Sequence, residues 1–143
     1  CISSGEQPLR AMALADTLVG SYDFGPFISQ ADQRRVVFVA EMWQGGEFIT
    51  RSVTPFVANK HLELSDPDLS VQTRVDGNTL YASVSARTLA RFVELSINDA
   101  DAVFSDNYFD IPAGGTVSVS TPLPENWTAQ STVRVRSLYE SFA

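Results

Sequence analysis

The stretch with the densest set of chemically capable side chains is VFSDNYFDIPAGG, residues 103–115. It places Asp106, Asn107 and Asp110 among three aromatic rings and ends in a proline and two glycines. Carboxylates beside aromatic rings are typical of a sugar-binding or metal site. Asp and Asn side chains that bond nearby backbone N–H groups are equally typical of a corner between buried strands. We favour the corner, with Tyr108 or Phe109 closing the end of the core.

Calcium is the metal to consider, because it accepts several loop oxygens at once. Four aspartates lie close together in this part of the chain: Asp99, Asp101, Asp106 and Asp110. Their spacing is not that of the EF-hand loop. Whether they bind calcium therefore stays open, and no cofactor or metal is predicted.

Hydrolytic chemistry finds little support in the sequence. A glycosidase uses two carboxylates, one of them in a deep cleft that raises its pKa. Glu41 and Glu47 flank a hairpin, where half-exposed strands provide no such cleft. The single histidine, His61, has no second histidine or cysteine with which to hold zinc, so we expect a structural or surface role for it. G-x-S-x-G and phosphate-loop motifs are absent, and we predict no catalytic residue.

Exposed aromatic side chains offer a different function, because a flat ring can stack on a sugar. Trp43, Trp127 and Tyr81 are the candidates for such sugar contacts. The alternative, which we favour, is that each ring plugs a core or lies between domains. A carbohydrate-binding module is thus the second functional hypothesis.

Composition narrows the possible partners. The 143 residues are 44% hydrophobic and 19% charged, which is typical of a globular chain. The net charge of -7 disfavours nucleic acid and anionic membrane surfaces. The longest apolar run, VVFVA, is far too short for a membrane helix, and no signal peptide is visible, so a cytoplasmic location is favoured over a secreted one. Cys1 is the single cysteine, which precludes an internal disulfide, and a chain opening on Cys is expected to be part of something longer.

The second part of the chain alternates apolar and polar residues with a period of two, which predicts half-exposed β-strands. LSVQTRV and TLYASVSA flank Asp76-Gly77-Asn78, a tight hairpin turn, and RFVELSI, TVSVS and STVRVRS follow with turn signals between them. Six or seven short strands at this spacing predict an all-β, immunoglobulin-like antiparallel sandwich over residues 60–143.

Residues 1–59 show a different pattern. RRVVFVAEMW is apolar on both faces, QGGE turns the chain, and FITRSVTPFV returns, which predicts a hairpin covered on both sides. Before it, LRAMALADTLVG predicts a weak strand or two, and SYDFGPFIS a connection with a short helical turn. This amounts to about half of a second, partial sandwich, with the domain boundary near Asn59.

Four segments carry a resemblance to a known family: VVFVAEMW, KHLELSDPDLSV, LARFVELS and FSDNYFDIPAGG. In that order they closely resemble the C-terminal end of β-mannosidases of glycoside hydrolase family 2, over residues 36–119. The resemblance implies a string of domains in which a catalytic (β/α)8 barrel precedes two sandwiches. The catalytic glutamates of such enzymes lie in the barrel, so no residue of this chain inherits their role.

The resemblance implies a non-catalytic C-terminal region of an enzyme that removes terminal, non-reducing β-D-mannose residues. Its expected role is to buttress the barrel and fix the assembly, with the barrel and the other domains of the parent chain as partners. A hairpin without its covering sheet exposes apolar side chains and an unpaired strand edge. This surface is expected to be covered either by docking on the C-terminal sandwich or by pairing with a second copy, and we favour the second, a symmetric homodimer through the N-terminal segment.

Overall fold

A computed structural model describes residues 1–98 and 100–141. It is all-β, with eight antiparallel strands and three single-turn 3-10 helices in the described ranges. The 3-10 helices span Asp32–Arg34, Asn59–His61 and Tyr139–Ser141. None of the helices in these ranges is long and apolar enough to cross a membrane. The predicted immunoglobulin-like sandwich is confirmed.

The first two strands form a hairpin of their own. Strand β1 spans Val37–Gln44 and β2 spans Glu47–Pro55. Gly45 and Gly46 connect them with φ of 60° and 88°, values that suit glycine in a two-residue hairpin loop. The register shifts between Met42 and Trp43, so the last pairs near the loop are Trp43 with Phe48 and Gln44 with Glu47.

The remaining six strands build the sandwich as two three-stranded sheets. Strands β3 (Ser70–Asp76), β4 (Thr79–Ser85) and β7 (Thr116–Pro122) form the first sheet, in the order β3-β4-β7. Strands β5 (Ala90–Ile97), β6 (Phe109–Ile111) and β8 (Val133–Arg136) form the second, in the order β6-β5-β8. Gly77, with φ of 56°, begins the predicted two-residue turn between β3 and β4.

The core lies between these two sheets and includes the inward residues predicted for β4 and β5. Leu80, Ala82 and Val84 of β4 are fully buried, and the inward side chains of β5 are nearly so. The buried apolar residues are Leu80, Ala82, Val84, Ala86, Ala90, Val93, Leu95, Ile97, Phe104, Ile111, Val119 and Val133. Sequence alternation therefore predicted the inward faces of β4 and β5 correctly, whereas β3 is largely exposed and its Val75, expected to face inward, is 45% exposed.

The segment that precedes the hairpin departs from prediction. The weak strands expected in residues 9–20 are wrong, because this segment is irregular and its Leu14 and Leu18 are largely exposed. A strand needs a neighbouring backbone to satisfy its N–H and C=O groups, and residues 9–20 make no backbone–backbone hydrogen bond with the described residues. The predicted turn in SYDFGPFIS is confirmed, since the N–H groups of Phe27 and Ile28 both donate to the carbonyl of Phe24.

The hairpin is covered on one side only in part. Phe24 packs against Phe38 and Phe56, with ring centroids 5.2 and 5.5 Å apart. Beyond Val39, strand β1 is exposed, including Met42 and Trp43. The expected cover on both faces is therefore missing from the described chain, and apolar surface remains open to solvent.

Candidate functional site

A buried arginine joins the sandwich to the hairpin. Arg91 of β5 is only 5% exposed, and its Nη1 donates a hydrogen bond to the carbonyl oxygen of Val53 in β2, at 3.0 Å. Its guanidinium carbon lies 5.0 Å from the ring centre of Phe92. The Nε atom lies 3.1 Å from Oδ1 of Asp110, an ion pair without a well-aligned hydrogen bond among the described residues. Sequence reasoning missed Arg91, although it is in phase with the inward Val93.

Asp110 completes this junction from β6. The pairing of β5 with β6 shifts register between Ala90 and Val93, and Phe92 inside the shift has φ of 50°. The N–H of Phe92 donates to Oδ1 of Asp110 at 3.0 Å. Burial raises the pKa of Asp110, while the Phe92 N–H and the charge of Arg91 oppose that rise. Asp110 thus supports an interrupted strand and faces a fixed cation.

Asn107 shows that VFSDNYFDIPAGG builds a corner, as predicted. The N–H of Leu95 donates to Oδ1 of Asn107 at 2.8 Å, and Nδ2 of Asn107 donates to the carbonyl of Leu95 at 3.1 Å. The side-chain amide therefore replaces the next backbone pair along β5, where β6 has ended. Asp106 accepts the N–H of Asn107 at 2.8 Å. These polar atoms are engaged with the backbone of the corner itself.

The aromatic residues of the corner divide between core and surface. Phe109 packs against the core, as expected, but Tyr108 is 61% exposed and does not plug it. Tyr108 has φ of 61°, and its hydroxyl donates to Glu94 at 3.2 Å. Glu94 also accepts a hydrogen bond from Arg136, and this bond lowers the pKa of Glu94.

The calcium hypothesis gains no support from the described residues. Asp99 lies outside them. Within residues 1–98 and 100–141 no three acidic, His or Cys side chains lie close enough together to hold a metal ion. Asp101, Asp106 and Asp110 therefore do not form a shared cation site. His61 is exposed in its 3-10 helix, and its carbonyl accepts a hydrogen bond from Nε of Arg34 at 2.8 Å.

A surface groove of about 520 Å³ lies beside β4 and β7. Its lining residues are Asn78, Thr79, Val103, Ser105, Ser120, Thr121 and Pro122. None of these side chains is a carboxylate, imidazole, amine or thiol. The groove therefore supplies no general acid or base.

The three residues predicted as sugar contacts lie apart. Trp127 is half-buried against the sandwich core, whereas Tyr81 lies on the outer face of β4 with the Arg74 guanidinium 4.7 Å from its ring centre. Trp43 is at the far end of the hairpin and is 57% exposed. The structure thus brings no two of them into one site, and sugar contact by any of them remains a prediction.

Trp43 instead belongs to a cluster with Glu41, Phe48 and Arg51, which we call the hairpin cluster. Its indole Nε1 donates to Glu41 at 3.1 Å, and its ring meets that of Phe48 edge to face, with centroids 5.4 Å apart. Nε of Arg51 donates to Glu41 at 2.7 Å and lowers the pKa of this carboxyl. Sequence reasoning missed Phe48 and Arg51, because their place opposite Trp43 and Glu41 depends on the register.

A more exposed contact joins the two parts of the chain near residue 60. The N–H of Glu63 donates to the carbonyl of Arg34 at 2.8 Å, and its carboxylate pairs with Arg34 and Arg35. Exposed ion pairs of this kind contribute little to stability. The contact of the buried Arg91 is therefore expected to contribute more to holding the two parts of the chain together.

Comparison with known families places both parts of the chain. The profile of an Ig-fold domain of mannosidases matches residues 64–141. The profile of the mannosidase Ig/CBM-like domain matches residues 1–61. A search of curated proteins found no match to the chain.

Proposed function

We propose that this chain, which belongs to the Ig-fold domain family of mannosidases, is the non-catalytic C-terminal region of a β-mannosidase that removes terminal, non-reducing β-D-mannose residues. Its role there is architectural: it buttresses the catalytic barrel and fixes the assembly of the enzyme. The family matches support the assignment to a mannosidase, and the observation that carries the architectural role is the part-buried hydrogen bond from Arg91 to the backbone of β2.

Burying a guanidinium is costly unless its charge and donors are satisfied. At Arg91 the charge is paired with Asp110 of the sandwich, and the Nη1 donor is satisfied by the Val53 carbonyl of the hairpin. Removing the hairpin would take away the acceptor of the Arg91 Nη1 donor. An arginine placed in this way couples the orientation of the sandwich to that of the preceding segment, which is what a buttress requires.

The division of the chain near Asn59 is part of the same proposal, with residues 1–59 ending the preceding sandwich and residues 60–143 forming the last one. The two family matches, to residues 1–61 and 64–141, support a boundary in this region. The Glu63 contacts with Arg34 and Arg35 lie across it.

The isolated chain is proposed to lack mannosidase activity. Glu41, Glu63 and Glu94 are each held by arginine, which lowers their pKa and disfavours the protonated form that a general acid needs. Asp110 has a raised pKa, but it lies against Arg91 inside the junction.

Three measurements test the proposal. Purified chain should release no nitrophenol from 4-nitrophenyl β-D-mannoside, and turnover that survives purification to homogeneity would overturn it. In the full-length parent, Arg91→Met should lower the melting temperature and loosen the sandwich towards proteases. An unchanged parent would refute the buttressing role. Sequencing the gene upstream of Cys1 should also reveal a barrel with two glutamates.

We also propose that the hairpin pairs with that of a second copy of the chain, to give a symmetric homodimer. Each strand of the two-stranded sheet has one free edge within the described residues, but on β2 the Val53 carbonyl already accepts a hydrogen bond from Arg91, which leaves the edge of β1 for pairing. Lysine on an exposed edge blocks such pairing. Met42→Lys on β1 should therefore shift light scattering towards the monomer, whereas Thr50→Lys, its cross-strand partner on β2, should not. A native chain that is monomeric at micromolar concentration would refute the dimer.

A further inference from the structure

The hairpin cluster holds an exposed aromatic ring in a fixed orientation. Its four members form a closed ring of contacts, from Trp43 to Glu41, Glu41 to Arg51, Arg51 to Phe48 and Phe48 back to Trp43. Arg51 contributes a guanidinium carbon 5.2 Å from the ring centre of Phe48. Each side chain is restrained by two others. Binding a ligand there would therefore order these side chains little further and cost little of their conformational entropy.

The composition of the hairpin cluster decides which ligand it suits. An indole face complements the C–H face of a pyranose ring, and a carboxylate and a guanidinium beside it complement the ring hydroxyls. Among the described residues Arg51 makes its hydrogen bond through Nε, so its terminal nitrogens keep donors for a ligand. One Glu and one Arg leave the cluster neutral, and the chain carries a net charge of -7. A neutral ligand is therefore favoured over an acidic one.

The other two aromatic candidates are less suited to this task. Tyr81 is 38% exposed, and the guanidinium of Arg74 stands over its ring at 4.7 Å. Trp127 packs against the sandwich core. Trp43 is more exposed than either predicted alternative and has charged groups at its edge rather than over its face.

We infer that the hairpin cluster is a binding site for a neutral pyranoside, with the Trp43 indole as the stacking platform and Glu41 and Arg51 as hydroxyl partners. This inference goes beyond the architectural role and does not require it. A sugar site on the hairpin stands even if the parent enzyme acts on another glycoside.

The chain contains two tryptophans, so a spectrum of the ¹⁵N-labelled full chain shows two indole N–H signals. Trp43→Phe and Trp127→Phe assign them. Titration with β-1,4-mannobiose should shift the Trp43 signal saturably, with a dissociation constant in the range of roughly 1 mM for a small exposed site. Cellobiose in a parallel titration distinguishes preference for mannose from general pyranoside binding; either sugar supports the site.

Three variants sharpen the test. Trp43→Ala should weaken binding at least about tenfold, which corresponds to 1.4 kcal/mol. Arg51→Lys keeps the charge but loses the Nε contact with Glu41, and it should weaken binding several-fold. Tyr81→Ala, which removes a comparable exposed ring beside an arginine on the sandwich, should bind as the native chain does.

Four outcomes would overturn the inference. They are no shift with either sugar at saturating concentration, a shift confined to Trp127, binding that survives Trp43→Ala in a folded variant, and a Trp43 shift that follows protein concentration instead of sugar. The last would mean that the ring meets a second copy of the chain. A dispersed amide spectrum of each variant establishes that it is folded.

Discussion

Replacing Asn107 tests the corner most directly, because its side-chain amide stands in for a strand. In Asn107→Ala the N–H and the C=O of Leu95 both lose their partner. Leu95 is buried in the middle of the sandwich core, so its backbone groups have limited access to replacement water. In Asn107→Asp the acceptor oxygen remains, but a second oxygen takes the place of the donor that faces the Leu95 carbonyl.

The size of the effect follows from these two hydrogen bonds. A net protein hydrogen bond is worth about 0.5–1.5 kcal/mol, and a buried group left without a partner costs about 1–3 kcal/mol. Asn107 is half-buried, so part of this cost is relieved by solvent. We expect Asn107→Ala to lower the free energy of unfolding by about 2–3 kcal/mol. For a domain of this size that is a fall in melting temperature of about 10–20 °C.

Urea unfolding followed by circular dichroism measures this loss, and hydrogen exchange at the Leu95 amide locates it. Asp106→Ala is the matched control, since its exposed side chain accepts only the adjacent N–H of Asn107 in the described structure, and it should change stability by less than about 1 kcal/mol. Asn107→Asp should be no more stable than Asn107→Ala. The reasoning is refuted if Asn107→Ala unfolds like the native chain, or if the Leu95 amide stays protected in it.

Four further predictions concern the junction and the sandwich. Arg91→Met should lower the free energy of unfolding, measured with urea, by about 3–5 kcal/mol, because it leaves Asp110 without its cation. Adding Asp110→Asn should recover part of this loss. A double variant no more stable than the single one would contradict the pairing. The raised pKa of Asp110 means that its stabilising contribution is present at low pH and is lost as the pH rises through that pKa, so Asp110→Asn should gain stability relative to the native chain over this rise. The lowered pKa of Glu94 has the opposite sign, and the advantage of the native chain over Glu94→Gln should vanish as the pH falls through it; parallel pH curves would count against both assignments. Gly77→Val should lower the free energy of unfolding by about 1–2 kcal/mol, since valine resists a φ of 56°, and an unchanged urea midpoint would disprove this strain.

The sandwich was predictable because burial there follows the strand period. Leu80, Ala82 and Val84 alternate with polar residues and are all fully buried. Residues 9–20 lacked this check, since an apolar run becomes a strand only where a neighbouring strand accepts its hydrogen bonds. The alternation of apolar and polar residues indicates which face of a strand is buried. Whether the segment forms a strand at all depends on hydrogen bonding to a neighbouring strand.

The candidate sites depended on information that alternation does not carry. The aromatic character of Trp43 was visible, but its contact with Phe48 requires the register shift after Met42. Arg91 was in phase with Val93 and therefore predictable as inward, yet its acceptor, Val53, lies in a different part of the chain. Side-chain partners between strands follow from register, which depends on both paired strands and their turn and is not visible in the pattern of one strand alone.

The corner explains why its sequence is distinctive without being catalytic. Phe92 and Tyr108 both have positive φ, a strain of about 1–3 kcal/mol for each bulky residue. Asp110 offsets it inside the irregular part of β5 by accepting the Phe92 N–H, and Asn107 offsets it past the end of β6 by pairing with Leu95. At both points a short polar side chain provides the hydrogen-bond partner that the backbone of β6 does not provide. Residue types that suggest a ligand site are thus required here by an interrupted sheet, whose irregular segment also contains Arg91, the residue that bonds to the hairpin.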